Sequence, residues 1–169
     1  MKVFGMLVIV IAGFALGYSR RADMLKRERV LAELGALAAA FRVNAQFEHE
    51  SALVCLERFA ASERADALSF LPLALEDADG GELLGTALKN RYHEWRERDR
   101  LSSGLSSEIA DFLEGLAASS KQTEINRCAY IEGRVAEELT AVRGENAQRR
   151  GFYETVYTLA GAAVAIALM

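Results

Sequence analysis
The strongest constraint on this chain is where its charge is missing. From Thr155 to Met169 there is no charged side chain, and the same holds from Val3 to Tyr18. Apart from Lys2 and Glu154, every Asp, Glu, Lys and Arg lies between Arg20 and Arg150. An apolar segment at a chain end needs a core or a bilayer to cover it. The expected organisation is therefore an N-terminal transmembrane helix over 1–19, a helical bundle over 20–150 and a C-terminal transmembrane helix over 151–169.

The first apolar run also has features of a secretory signal, with Lys2 before it and Ala15-Leu16-Gly17 as a small-x-small cleavage pattern. The residues after it favour an uncleaved span. Arg20, Arg21, Lys26, Arg27 and Arg29 follow immediately, and Arg143, Arg149 and Arg150 precede the second run. Positive flanks stay on the cytoplasmic side, so the middle is expected in the cytoplasm and both termini across the membrane. Gly13 and Gly17 form a small face on the first segment, and Gly161 and Ala165 form one on the last. Small residues four apart let membrane helices approach closely.

Between these ends the periodicity is helical. The composition is rich in Ala, Leu, Glu and Arg with a single proline, Pro72. From Met24 a stripe of Leu31, Leu34, Leu37 or Ala38, Phe41 and Ala45 recurs at helical spacing, with a break expected over Gln46 to Ser51. Leu53, Leu56 and Phe59 or Ala60 mark a second helix, and Pro72 is expected to end or kink a third near Leu71. Asp79-Gly80-Gly81 reads as a turn. Leu84, Leu88, Tyr92 or Arg91, and Trp95 give another helix before the wholly polar Arg96 to Arg100. Leu101-Ser-Ser-Gly104 is a break, and Leu105, Ile109, Phe112 and Leu116 follow in steps of four, three and four. Ser119-x-x-Gln122 has capping-box spacing, and Ile125, Cys128, Ile131, Val135, Leu139 and Val142 stripe a last helix that no strong break separates from the tail. The fold class is all-α: an antiparallel bundle of about five or six helices.

The chemistry is sparse. A net charge of −4 with interleaved signs gives no footprint for nucleic acid. Cys55 and Cys128 sit on apolar helical patterns and read as reduced core residues. His49 and His93 begin no zinc-binding motif, and the chain shows no phosphate loop, serine elbow or cysteine–histidine signature. The sequence thus gives no catalytic, cofactor or metal residues and no small-molecule substrate. Two charge clusters stand out: Glu76, Asp77, Asp79 and Glu82 around the glycine turn, then Lys89, Arg91, Arg96, Arg98 and Arg100. They read either as solvated helix faces or as a surface that docks a cytoplasmic partner.

The layout resembles the stage III sporulation protein AB family over nearly the whole length. A short apolar start is followed by basic residues, then a small helical domain, then Tyr153 to Gly161 leading into a terminal span. Phe47-Glu-His49 followed by Ser51-Ala-Leu53 is similar to the family's aromatic, histidine and Thr-Pro-Leu stretch, without the proline. Phe112-Leu-Glu-Gly-Leu-Ala117 is similar to its Phe-x-x-x-Leu-Gly stretch, with alanine last. The resemblance implies a bundle like the cytoplasmic domains of F-type platform proteins in type II secretion and type IV pilus machines. It implies a place in the mother-cell membrane of a sporulating cell, in a secretion-like channel, with the stage III sporulation protein AA ATPase and other channel subunits as partners. The residues alone also leave open a dimerising two-span signalling or scaffold protein that pairs through Gly13 and Gly17.

Overall fold
The computed structural model describes residues 24–48, 50–116 and 121–167, with the backbone alone at 96, at 99 and from 149 onward. The described residues form six helices and no strand. Helix α1 covers 24–43 and runs into a π-helical turn, Asn44–Glu48. Its stripe is buried as the spacing requires, with Leu31, Leu34, Leu37, Ala38 and Phe41 almost wholly covered. The expected break after Ala45 is this wider turn followed by Ser51, whose Oγ accepts from the Val54 N–H and caps α2, Ala52–Ala60.

Helix α3, Phe70–Asp79, corrects the expectation for Pro72. Proline is the third residue of the helix, in the first turn, where the backbone N–H has no intrahelical acceptor to lose. It therefore opens the helix instead of breaking it. The glycine turn ends α3 as expected. Gly80 caps the helix, Gly81 takes a φ of 100° that favours glycine, and the N–H groups of Gly80, Gly81 and Glu82 return to Glu76, Ala78 and Asp77.

Helix α4, Leu84–Glu94, then packs on both α3 and α5, Ser103–Glu114. The approach of α4 to α5 depends on one residue. A Cβ built on Gly85 would stand 2.2 Å from the Glu114 carbonyl oxygen. The polar run Arg96–Arg100 is a 3₁₀ segment, and the stripe Leu105, Ile109, Phe112 and Leu116 is buried throughout.

Helix α6 is a single helix, Lys121–Ala167, uninterrupted at Gly144 and Gly151. One glycine costs a helix only about 1 kcal/mol relative to alanine, which the surrounding Ala, Glu and Arg residues outweigh. Its stripe residues Cys128, Ile131, Val135 and Val142 are buried, while Ile125 and Leu139 are half-buried. Ser119 of the expected capping box lies outside the described residues. Arg27–Leu139 form one compact unit, and from Thr140 onward α6 belongs to a second.

The membrane-span expectation is corrected for the part of the chain described. Among the described residues no helix is long and apolar enough to cross a membrane. Within α6 the charge-free run begins at Thr155 and its described part ends at Ala167. At 1.5 Å per residue that stretch rises about 20 Å, short of a hydrocarbon core ~30 Å thick. The first expected span, 1–19, lies outside the described residues.

Candidate functional site
One pair from the two charge clusters singled out in the sequence, Asp77 and Arg91, meets across the α3–α4 turn. Asp77 lies in the last turns of α3 and Arg91 two turns into α4, and the glycine turn folds one helix back towards the other. Arg91 donates Nε to Asp77 Oδ2 at 2.5 Å and Nη2 to Oδ1 at 2.8 Å, and its Nη1 reaches Glu94 Oε2 at 3.0 Å. This fork matches the planar geometry of guanidinium and carboxylate. The hydrogen bonds from Arg91 hold the Asp77 carboxyl below the usual range. Glu82 accepts from Asn90 Nδ2 at 3.0 Å.

The remaining members of the clusters are spread out. Glu76 and Asp79 are exposed on α3. Lys89 pairs with Glu114 at 2.7 Å, tying α4 to the end of α5. Arg98 lies 2.6 Å from His93 Nδ1, and Arg100 pairs with Glu97. The Arg96 side chain lies outside the described residues. Thus Asp77 and Arg91 serve the fold, whereas Glu76, Asp79, Arg98 and Arg100 lie at or near the surface. Gly13 and Gly17 are outside the described residues, and Gly161 and Ala165 fall four apart on the backbone of α6.

Beside the Arg91 pair the structure opens a groove of about 420 Å³. Phe70, Leu73 and Trp95 form its apolar lining, and Ser69, Arg91, Glu94 and Glu97 its polar lining. Phe70, Tyr92 and Trp95 pack as an aromatic triad, with ring centroids 5.1 to 6.0 Å apart. Tyr92 is fully buried, and its hydroxyl lies 3.0 Å from Ser106 Oγ, which satisfies it. Trp95 is 7% exposed, and its Nε1 has no hydrogen-bond partner among the described residues. The sequence placed Tyr92 and Trp95 on a helical stripe, but a groove formed by two helices and a 3₁₀ segment has no signature in linear spacing.

Two clamps went unseen for the same reason. Glu33 is buried on α1, where its Oε2 accepts from the Ala67 N–H at 2.6 Å and its Oε1 from Arg29 Nε at 2.9 Å. This fixes the segment before α3 against α1. Glu138 of α6 accepts from Arg27 Nη2 and from the Ser102 N–H, both at 3.1 Å, and from Ser102 Oγ at 2.5 Å. It thereby caps α5 from another helix and ties α1, α5 and α6 together.

Neither thiol is poised for chemistry. Burial pushes the Cys128 thiol up to about 12 and raises Cys55 as well. No group of three or more metal-ligating side chains occurs among the described residues.

The class these features define is an all-helical bundle whose surface carries paired charges and an apolar groove. The chain belongs to the stage III sporulation protein AB family, whose sequence model matches residues 2–169. That is a family of sporulation proteins, not known as one of enzymes. No curated protein and no solved structure matches the chain.

Proposed function
We propose that the chain is a non-catalytic platform or adaptor in a secretion-like channel of endospore formation, linking a cytoplasmic ATPase to a membrane complex. The observation that carries this reading is the family match over residues 2–169. A second supports it: α6 runs without a break from the buried Cys128, Ile131 and Val135 to the charge-free tail. A single helix thus carries both the buried stripe and the charge-free tail. In this reading 20–150 is cytoplasmic and the charge-free ends hold it at the mother-cell membrane, as the flanking arginines favour.

The ATPase, of the stage III sporulation protein AA type, docks on the charged surface of the α3–α4 pair and the 3₁₀ segment after it, which carries Glu76, Asp79, Arg98 and Arg100, while Asp77 with Arg91 ties the two helices together. The test is co-purification of that ATPase with the full-length chain. Reversing Arg96, Arg98 and Arg100 to glutamate abolishes capture while the helical circular dichroism is unchanged. Equal capture by wild type and variant would show that this surface does not bind the ATPase.

A further inference from the structure
The groove beside the Arg91 pair holds a polar group that the fold leaves unanswered. Trp95 ends α4 and opens the 3₁₀ segment after it, and it lines the groove. Its side chain is almost wholly buried, yet among the described residues its Nε1 has no acceptor. Buried polar groups ordinarily find a partner, as the neighbouring Tyr92 hydroxyl does in Ser106. A donor in the wall of a groove is answered when whatever enters brings an acceptor.

The rest of the lining states what else the entrant needs. Phe70 and Trp95 form an apolar wall, Leu73 at its edge is 45% exposed, and about 420 Å³ lies within the ~300–1,000 Å³ usual for binding pockets. The charge in the lining is acidic, with Glu94 and Glu97 against Arg91 alone. Arg91 is already spent, donating Nε and Nη2 to Asp77 and Nη1 to Glu94. Of the arginines on the 3₁₀ segment, Arg100 pairs with Glu97, and Arg98 lies against His93, which is not part of the lining. Asp77, Glu94 and Glu97 thus outnumber by one the two arginines, Arg91 and Arg100, that pair with them. The Glu94 side chain is 68% exposed, so it is the carboxylate an entering cation meets.

We propose that this groove binds a partner protein's segment in which an aliphatic side chain stands beside a lysine or arginine. The aliphatic group packs on Leu73, Phe70 and Trp95, and the cation pairs with Glu94. A backbone carbonyl of the segment accepts from Trp95 Nε1, an acceptor that any peptide carries. An acidic segment meets repulsion at Glu94 and Glu97, and a wholly polar one leaves the apolar wall uncovered. The proposal stands apart from the ATPase reading, and its test contains no ATPase, so failure here leaves that reading untouched.

Trp95 is the chain's single tryptophan, so one indole N–H resonance of the isotope-labelled full-length chain in non-ionic detergent reports on the site. The probe is the capped tetrapeptide acetyl-Lys-Leu-Leu-Lys-amide, with acetyl-Glu-Leu-Leu-Glu-amide and acetyl-Lys-Ser-Ser-Lys-amide as controls. The expected result is a saturable shift of the Trp95 resonance with the first peptide and with neither control. Glu94→Gln should weaken that binding about two- to fivefold, as loss of a solvent-exposed ion pair does. Leu73→Ser should weaken it more than about fivefold, as loss of an apolar anchor does. Both side chains are exposed, so helical circular dichroism should be unchanged. No saturable shift, an equal shift with either control, or unaltered affinity in the folded Glu94→Gln and Leu73→Ser variants overturns the proposal.

Discussion
Replacing Gly85 by alanine tests the packing of α4 on α5 at its narrowest point. The added methyl would lie 2.2 Å from the Glu114 carbonyl oxygen, 3.0 Å from its carbon and 3.4 Å from its Cα. All three are backbone atoms, so no side-chain rotation relieves the contact, and the helices must separate by about 1 Å at this point. Overpacking of this kind costs roughly 1–3 kcal/mol. The propensity gain of alanine over glycine is at most about 1 kcal/mol and is smaller in the first turn, where Gly85 sits. The clash wins, leaving a net loss of about 1–2 kcal/mol, or a fall in Tm of roughly 2–8 °C for a chain of this size. Gly133 is the control, since it lies in the interior of α6 and a Cβ there meets nothing within 4 Å. Gly133→Ala should stabilise by about 0.5–1 kcal/mol. The assay is thermal unfolding followed by circular dichroism and by the fluorescence of Trp95, the chain's single tryptophan. A Gly85→Ala variant as stable as wild type, or one that gains stability in step with Gly133→Ala, refutes the close approach.

Glu138→Ala removes the cap on α5 and the partner of Arg27 and should cost about 1–3 kcal/mol in urea unfolding. Burial raises the Glu138 carboxyl, but hydrogen bonds from Ser102 and Arg27 outweigh it and leave it below its ordinary value of 4.5. Its contribution is therefore complete above that value and fades as pH falls through the folded one, so the difference between wild type and Glu138→Ala should shrink in acid. Cys55 and Cys128 should resist alkylation in the native chain at neutral pH and react on unfolding; stoichiometric native labelling would contradict their burial. Pro72→Ala should change stability by less than about 1 kcal/mol, because the first turn loses no hydrogen bond to proline. A large gain in helix content would instead mean that proline limits α3.

The local structure was legible wherever one helix face meets one core. Leu31, Leu34, Leu37 and Phe41, like Leu105, Ile109, Phe112 and Leu116, recur at a spacing that selects a helix, and all are buried. The glycine turn was legible because Gly80 and Gly81 do there what other residues do at a cost. Pro72 misled because proline is compatible with a helix start and incompatible with a helix interior, and the apolar pattern did not mark which end it occupied. Of the site, the charged residues were visible as clusters, but the pairing of Asp77 with Arg91 across two helices follows from the α3–α4 packing. The Glu138 clamp joins residues 27, 102 and 138, and nothing in the spacing of three such distant polar residues announces their meeting.

The platform reading turns on whether the ATPase is held at the membrane through this chain. Fractionating cells that make the stage III sporulation protein AA-type ATPase, with and without the full-length chain, measures that directly. The account predicts that the ATPase sediments with membranes only when the chain is present, and returns to the soluble fraction when residues 151–169 are deleted. An ATPase whose distribution is the same in all three cases would contradict it.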